Sequence, residues 1–420
     1  MTEKEFSCDA STITSETTQN IVMYQKSLFR QIVQAPNQVQ SIRKELEKLP
    51  HNSTLWKECL SELMKLANAS KQTKAKYSKS FHNLRILIQS QTNAIVRAEK
   101  YVLDDGITTI YLNKKNEFEI IANAAVIFAE SKEQDATTNK SSFVSKKEDH
   151  IKATEPITLD EEKREEVSTL ASIIKKGEQI KIKRADKKTR IFTTNMDCLD
   201  VCEILYKKGL NPICLNMANE RTPGGGWKSG SGAQEENLFR RSLYQVSLID
   251  NVHTKKKQEN TLKKYPIPEF GCIYSPNVTV FRHNEESGYK LCSTPFPVSF
   301  IAAAMYHKPA LNPKTLQISS KQVARNIQRK FKTVLQCALH FQHKAVVLGA
   351  WGCGAYSCPP QHLALLFNQV LCEDHGLRNA FDVICFAILN DHNCGKVHNP
   401  NGNYAPFAQI FGEDDNFLKN

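Results

Sequence analysis

The sequence predicts an α/β fold in which buried strands lead into glycine-rich loops and then into helices. Two stretches carry this prediction. The apolar run 212–215 precedes the glycine triplet 224–226 and a run of helix-forming residues that opens at Gln234. The apolar run 345–349 precedes a second glycine loop, and the Pro359-Pro360 pair there suits the start of another helix. Short apolar runs are typical of buried strands, and their alternation with helices is typical of the α/β class.

The other elements continue this alternation from residue 190 to residue 389. Gly209 ends the first helix of the series, because glycine readily adopts the left-handed conformation found at helix C-termini. The longest helix has an apolar face that includes Val323, Ile327 and Phe331. The predicted order is strand 190–194, helix 197–208, strand 212–215, helix from 234, strand–turn–strand 272–281, helix 321–343, strand 345–349, helix 359–376 and strand 381–389.

Composition and charge narrow the class of protein. Hydrophobic residues make up 40% of the 420 residues, and no stretch approaches the roughly 20 apolar residues of a membrane span. The polar N-terminus does not resemble a secretory signal. The 13 cysteines lie mostly within apolar runs, which indicates reduced thiols and a cytoplasmic location. The net charge of +12 suggests an anionic partner, although a solvated surface accounts for most of the lysines.

The spacing of glycine, lysine, cysteine and histidine residues argues against several common nucleotide and metal sites. No lysine follows the glycines as it does in a P-loop, and no GxGxxG opens a βαβ unit, so nucleotidases and dinucleotide oxidoreductases are disfavoured. Cys353 and Cys358, like Cys372 and His375, lack the paired spacing of zinc ligands. We therefore predict neither a metal nor a cofactor.

The stretch from residue 216 to residue 236, NMANERTPGGGWKSGSGAQEE, is the most informative part of the chain. Its proline and glycine triplet exclude strand and helix, and glycine lets backbone amides approach an anion closely. Seven residues later, Gln234-Glu235-Glu236 open a helix, where acids suit the helix dipole. A glycine triplet alone would favour a plain turn. The adjoining QEE and the second loop, WGCGAYSCPP at 351–360, favour a site for a phosphorylated ligand, with a diphosphate held between backbone amides.

GGG, seven residues and QEE resemble the signature of the poly(ADP-ribose) glycohydrolases, which are macrodomain enzymes. The segment 216–219 is similar to the ribose-contacting segment of that family, and residues 352–356 are similar to its diphosphate loop. The resemblance covers roughly residues 190–400 and is looser over 80–130. It implies a macrodomain-like three-layer α/β/α sandwich with a mixed sheet.

The resemblance also implies roles for individual residues. Glu236 would be the general acid/base, and Glu235 would bind and orient the hydroxyls of the distal ribose. Asn219 would hold the same ribose, and Gln234 would support the loop. Asn195 at the end of the first strand, and an aromatic from Tyr404, Phe407 or Phe411, are candidate adenine contacts, and each is equally explained by core or C-terminal packing. The other substrate-binding residues implied are Gly224, Gly225, Gly226, Gly352, Cys353, Gly354, Ala355 and Tyr356, the last standing where the family usually has phenylalanine.

The domain boundary is predicted near residue 80. Residues 1–79 would form a helical N-terminal extension, which is equally a packing element or a partner-binding module. Residues 80–420 would form the macrodomain-type ADP-ribose glycohydrolase domain, because the run 84–106 is similar to the start of the microbial-type enzymes. A stretch at about 131–158, rich in Ser, Lys, Thr, Asn and Glu, is predicted to be a flexible insertion.

We predict a hydrolase that cleaves the O- or N-glycosyl bond of ADP-ribose in poly(ADP-ribose) or in ADP-ribosylated protein (de-ADP-ribosylation). Its expected partners are ADP-ribose, poly(ADP-ribose) and ADP-ribosylated proteins; neither nucleic acid nor a membrane span is expected. A composition rich in Lys, Asn and Ile would suit a bacterial effector secreted into the cytosol of a host cell. The alternatives are a non-catalytic ADP-ribose-binding reader, against which the intact QEE argues, and a basic nucleic-acid-binding protein that shares the fold.

Overall fold

The computed structural model describes residues 56, 58, 61, 74–112, 126–129, 188–249, 264–391 and 393–419. Contacts divide the chain into one unit of residues 1–128 and 187–420 and a second unit of residues 129–186, of which only Ala129 is described. Most of the predicted N-terminal helical pattern, and the insertion predicted at 131–158, lie outside the described residues. The boundary near residue 80 stays a prediction.

The helices and strands of the described residues alternate over most of the larger unit. The helices are α1 (Lys74–Ala98), α2 (Cys198–Lys207), α3 (Gln234–Arg241), α4 (Tyr244–Leu248), α5 (Lys321–His340), α6 (Pro360–Glu373), α7 (His375–Arg378), α8 (Tyr404–Phe411) and α9 (Asp415–Lys419). The strands are β1 (Lys100–Val102), β2 (Thr109–Tyr111), β3 (Val126–Ala129), β4 (Arg190–Thr194), β5 (Pro212–Met217), β6 (Gly271–Arg282), β7 (Leu291–Ala303), β8 (Ala345–Leu348) and β9 (Val383–Ala387).

Seven of the described strands form one mixed sheet in the order β3-β6-β7-β5-β8-β9-β4. Strands β4, β9, β8, β5 and β7 run parallel to one another, and β6 is antiparallel to β7. The carboxyl ends of these parallel strands therefore meet at one edge of the sheet. In open α/β sheets, ligands bind in a crevice at that edge.

Helices cover both faces of the sheet. Along β5, Cys214 belongs to one buried cluster, whereas Ile213 and Leu215 belong to another, because successive strand residues point to opposite faces. The first cluster includes apolar residues of α2, α3 and α4, and the second includes apolar residues of α5, α6 and α8. The predicted α/β fold, with a mixed sheet between layers of helices, is confirmed. Among the described residues, no helix is long and apolar enough to cross a bilayer.

The predicted strand–turn–strand at 272–281 is wrong. Residues Gly271–Arg282 form the single strand β6, and its pairing with β7 shifts register between Ser275 and Val278. Asn277 has a φ of 48° at this shift. A β-bulge takes up one extra residue without ending the strand, so turn-forming residues here mark a bulge.

Strand β7 is not among the predicted elements, and its Pro295 and Pro297 are unusual in a strand interior. In the structure, Pro297 pairs with Thr279 of β6, whereas the pairing of β7 with β5 begins only at Ser299. Among the described strands, the proline-containing half of β7 therefore has a neighbour on one side only. A proline lacks the backbone N–H, and this is tolerated where the N–H would point to the side of the strand without a neighbouring strand.

The helix that opens at Gln234 is shorter than the run of helix-forming residues suggests. It ends at Arg241, where Ser242 is extended (φ −145°, ψ 174°) and forms a bridge to Val280 of β6. The predicted helix 359–376 also divides, because Asp374 caps the separate short helix α7. Helix α3 thus carries little more than the acidic residues at its start and two arginines at its end.

Candidate active site

A cavity of about 490 Å³ lies at the carboxyl edge of the sheet. Its wall includes Met217 at the end of β5, Gly349 after β8, Ala387 at the end of β9 and the first turn of α3. The predicted site residues that line it are Asn219, Gly225, Gly226, Gln234, Glu235, Glu236, Gly352, Gly354, Ala355 and Tyr356. The structure thus brings both glycine loops to one cavity.

Glu235 is held at both of its carboxylate oxygens. The residue is 4% exposed. Its Oε1 accepts a hydrogen bond from the backbone N–H of Gly224 at 3.0 Å, and its Oε2 accepts one from the backbone N–H of Asn219 at 2.7 Å. The side-chain amide of Asn216 donates a longer bond to Oε1 at 3.5 Å. These donors fix the orientation of the carboxyl group.

Glu236 is held at one oxygen only. Its Oε1 accepts a hydrogen bond from the backbone N–H of Gly226 at 2.9 Å. Its Oε2 is buried and has no hydrogen-bond partner among the described residues. A buried polar atom without a partner costs about 1–3 kcal/mol and calls for an explanation. Among the four carboxyl oxygens of the pair, this is the one without a donor in the described part of the chain.

The glycine triplet wraps around the two carboxyl groups. Gly224 and Gly226 donate to the glutamates, and the N–H of Gly225 donates to a backbone carbonyl of the preceding turn at 3.0 Å. The φ of Gly225 is 53°, and a Cβ there would lie 2.6 Å from Oε1 of Glu236. Only glycine allows this approach. The predicted role of these amides is to hold a diphosphate; in the structure the amides of Gly224 and Gly226 hold carboxyl groups of the chain itself.

The side chains of Asn219 and Gln234 hydrogen-bond to backbone groups, and Nε2 of Gln234 also lies 3.5 Å from Sγ of Cys198. The Oδ1 of Asn219 accepts from the backbone N–H groups two and three residues later, at 2.9 Å each. The Oε1 of Gln234 accepts from the N–H of Met217 at 3.0 Å, and its Nε2 donates to the carbonyl of Leu215 at 2.6 Å. The two side chains thereby fasten the loop and the start of α3 to the end of β5.

The second glycine loop, between β8 and α6, leaves several backbone amides open. Its internal hydrogen bonds use the N–H groups of residues 351, 353, 357 and 358. No described residue accepts a hydrogen bond from the amides of Gly352, Gly354, Ala355 or Tyr356. Successive open N–H groups in a loop form a concave anion site. The two glycine loops therefore differ, because the first is filled by carboxylates and the second is open.

Three predicted residues do not line the cavity: Gly224, Asn195 and Cys353. The Oδ1 of Asn195, an exposed residue, accepts a hydrogen bond from the N–H of Asn390 at 2.8 Å. This contact joins the segments that follow β4 and β9. Cys353 is 0% exposed, and its carbonyl lies 3.0 Å from Nε2 of His398.

Burial dominates the electrostatics of the glutamate pair. It raises the pKa of Glu235 to about 8; hydrogen bonds from the amides of Asn219 and Gly224 oppose this rise, and the nearby charge of Glu236 adds to it. Tyr244 lies behind Glu235, with its hydroxyl 3.4 Å from Nδ2 of Asn216. Burial also raises the pKa of Tyr244. Burial therefore favours the protonated form of both groups.

Sequence reasoning gave no role in the site to Asp197, Asn237 or Arg241, three of the polar residues that line the cavity. Arg241 is 2% exposed and donates to Asp197 at 2.7 Å and to Asp200 at 3.0 Å. The same Asp197 oxygen caps helix α2. A helix-capping signal could have located Asp197, but its pairing with an arginine of α3 appears only once the fold is formed.

Comparison with protein-family models gives a match to the microbial-type PARG catalytic domain over residues 25–283. This span is more than half of the chain and contains the glycine triplet and both glutamates. The chain belongs to this family. PARG denotes poly(ADP-ribose) glycohydrolase. In this PARG domain, the second glycine loop lies after the matched span, so its place beside the glutamates is a finding of the structure.

Two solved structures of PARG from one organism have the same fold as this chain. PARG from Thermomonospora curvata is 24% identical, with alignment over 78% of this chain and 99% of that one and a TM-score of 0.54. A point mutant of that enzyme is 23% identical over the same shares, with a TM-score of 0.53. PARG from Deinococcus radiodurans in complex with ADP-ribose is 21% identical over 71% of this chain and 98% of that one, with a TM-score of 0.45. A comparison with curated proteins finds no match.

Replacing Gly224 by alanine should destabilise the glycine triplet. A Cβ there would lie 2.6 Å from Trp227 and 2.7 Å from Phe239, at a φ of 77°. Overpacking costs about 1–3 kcal/mol and a left-handed backbone about 1–2 kcal/mol, so urea unfolding should show a loss of about 2–5 kcal/mol. Gly209→Ala is the matched control, because its φ is 72° and no atom lies within 4 Å of the added Cβ. Equal losses for the two variants would contradict tight packing at Gly224.

Proposed function

We propose that this protein hydrolyses the ribosyl glycosidic bond of poly(ADP-ribose), with Glu236 as the general acid and base. The observation that carries the proposal is the unequal holding of two adjacent carboxyl groups. Glu235 is bonded at both oxygens, whereas Oε2 of Glu236 has no partner in the described part of the chain. Membership of the PARG family supports the choice of substrate.

Cleavage of a glycosidic bond needs an acid and then a base. Glu236 gives its proton to the leaving oxygen as the C1″–O bond breaks, and the sugar passes through an oxocarbenium-like transition state. A water molecule then adds to C1″ and gives its proton to the ionised Glu236. One product carries a new anomeric hydroxyl, the other carries the leaving hydroxyl, and Glu236 returns to its protonated state.

The glutamate pair already holds a proton for the first step. The pKa of Glu235 is raised to about 8, chiefly by burial. Ribose hydroxyls that donate hydrogen bonds to Glu235 would favour its ionised form. Glu236 would then take the proton. Glu235 thus serves as the ribose-binding partner, and Glu236 as the residue that exchanges protons with substrate and water.

The open amides of the second glycine loop suit a diphosphate. The N–H groups of Gly352, Gly354 and Ala355 have no described protein acceptor, and hydrogen bonds to a charged group are worth about 1.5–3 kcal/mol each. Tyr356 follows them in the cavity wall, with its ring edge-on to His307 at 5.2 Å. We assign the diphosphate to this loop and the distal ribose to the space between Tyr356 and Glu235.

ADP-ribose on a protein side chain would present the same ribosyl carbon to Glu236, which supports de-ADP-ribosylation as a second activity of this site. The role of an effector in a host cell stays a prediction from composition. Assays of ADP-ribose release from polymer, and from proteins modified at Glu, Ser or Arg, would test the substrate classes separately. Binding of ADP-ribose without release from any of them would favour a reader.

Glu236→Gln should abolish turnover while ADP-ribose still binds. The amide keeps the shape of the side chain but cannot exchange the proton, and loss of a general acid–base group costs about 10²–10⁴ in rate. Release of ADP-ribose from polymer and calorimetric titration would be measured on the same preparation. Glu203→Gln, on the surface of α2 and paired with Lys207, is the control and should behave as wild type. Release at the wild-type rate by Glu236→Gln would refute the assignment.

Gly354→Glu should lose ADP-ribose binding with little change in thermal stability. A Cβ at Gly354 meets no atom closer than Nδ2 of Asn393 at 3.8 Å, so the side chain fits the protein but enters the space assigned to the diphosphate. Gly354→Gln separates size from charge and should bind more weakly than wild type but more tightly than Gly354→Glu, since only the carboxylate repels phosphate. Calorimetry and melting curves check both variants. Normal affinity in a folded Gly354→Glu protein would exclude this loop from the site.

A further inference from the structure

Asn237 is a polar residue of the cavity wall to which the proposed mechanism gives no role. It directly follows Glu236 on the first turn of α3, and it is half-buried. Its Oδ1 lies 2.6 Å from the hydroxyl of Tyr289, and its Nδ2 makes one long contact, at 3.4 Å, with the carbonyl of Ala233. One N–H of this amide therefore has no acceptor among the described residues.

Tyr289 holds the Asn237 amide from behind. The tyrosine is 1% exposed, and burial raises its pKa to about 12, so its hydroxyl remains a donor throughout the physiological range. The φ of Tyr289 is 54°, a left-handed conformation that is costly for a bulky residue. Backbone strain of this kind persists where the surroundings enforce it and is concentrated at functional sites.

An ion pair fixes Tyr289 in turn. Its hydroxyl lies 2.8 Å from Oε2 of Glu285, and Glu285 accepts two hydrogen bonds from Arg85 of α1, at 2.7 and 2.9 Å. The guanidinium group compensates the carboxylate charge. The Tyr289 hydroxyl has one proton and two acceptors, Oδ1 of Asn237 and Oε2 of Glu285, so it links Asn237 to this ion pair.

The same arginine also packs beside the cavity. A Cβ added to Gly232, a residue of the cavity wall, would lie 2.3 Å from the guanidinium of Arg85. Helix α1 therefore contacts the loop that leads into α3. Through Arg85 it also contacts Glu285, which bonds the Tyr289 hydroxyl behind Asn237. The side chain of Asn237 is held from a helix more than a hundred residues earlier in the sequence.

We propose that Asn237 is a further substrate-binding residue and that Arg85, Glu285 and Tyr289 are positioning residues that hold its amide. The unpartnered N–H of Asn237 donates to an acceptor oxygen or nitrogen of the ADP-ribosyl unit beside Glu236. This inference rests on the function proposed above, and it adds to that function a polar contact supplied by neither glycine loop.

A double-mutant cycle tests the proposal on the full chain. Asn237→Ala should raise the Kd of free ADP-ribose, or the KM for polymer, by about twofold to tenfold, the effect of one hydrogen bond, with a smaller change in kcat. Tyr289→Phe removes only the hydroxyl and should raise the same constant by no more than that factor. If Tyr289 acts through Asn237, the double variant should be no weaker than Asn237→Ala alone, because effects of coupled residues do not add.

Tyr101→Phe is the matched control for loss of a buried hydroxyl. The Tyr101 hydroxyl donates to the carbonyl of Cys292 at 2.5 Å and does not line the cavity. Its loss should lower the melting temperature about as much as Tyr289→Phe and leave the Kd and KM unchanged. A change in Kd or KM that follows melting temperature in all variants would reduce Tyr289 to a purely structural role.

The possible outcomes separate the two proposals. An active wild type with unchanged Kd and KM in folded Asn237→Ala would overturn the role of Asn237 and leave the proposed function intact. If the fold-changes of the two single variants multiply in the double variant, Tyr289 does not act through Asn237, and its positioning role is overturned. A wild-type protein that neither binds ADP-ribose nor releases it from polymer would overturn the proposed function, and this inference with it.

Discussion

Hydrogen bonds from backbone amides to two adjacent buried carboxyl groups are the interaction on which the site depends. Glu235 and Glu236 are 4% and 7% exposed, and burial of a carboxylate without donors would be costly. The N–H groups of Asn219, Gly224 and Gly226 supply those donors, each bond being worth about 1.5–3 kcal/mol when the acceptor is charged. The positive φ values of Gly224 and Gly225 and the lack of side chains in the triplet follow from this requirement.

The surrounding elements hold this arrangement from three sides. Gln234 ties α3 to the end of β5, and Arg241 ties the other end of α3 to the start of α2. Helix α1 contacts the loop between the triplet and α3, since a Cβ at Gly230 would lie 2.5 Å from the carbonyl of His82. The predicted boundary near residue 80 lies within α1 (Lys74–Ala98). The site therefore depends on packing against a helix that precedes the whole strand–helix series.

Sequence reasoning was most successful where the information is local. The order of β4, α2, β5 and α3 follows from apolar runs, a stopping glycine and acids at a helix start, and the two glycine loops follow from composition. Sequence reasoning failed where the pairing of strands decides the local structure. The prolines of β7 are tolerated because that half of the strand has one described neighbour, and Asn277 marks a bulge because β6 continues past it.

The same limit applies within the candidate site. A glycine triplet before QEE indicates an anion, but the sequence does not say which one, and the structure gives the triplet the carboxyl groups of the next helix. The series of side-chain contacts from Arg85 through Glu285 and Tyr289 to Asn237 joins three distant segments, so no short sequence pattern predicts it. Asn195 follows a strand at the expected edge, yet its side chain joins two loops. The sequence predicts that a residue lies at the edge of the sheet, but it does not predict which groups the side chain contacts.

The most direct test of this account is a pH titration of ¹⁵N-glycine-labelled protein by NMR. Because the Gly224 amide donates to Glu235, whose pKa is raised to about 8, its resonance should shift downfield as the pH rises through roughly that value and the carboxyl group ionises. The Gly209 amide, which donates to the carbonyl of Tyr206, should stay constant over the same range. A Gly224 resonance that does not titrate, or that titrates near the ordinary glutamate value of about 4.3, would contradict the claim that this amide holds a buried carboxyl group.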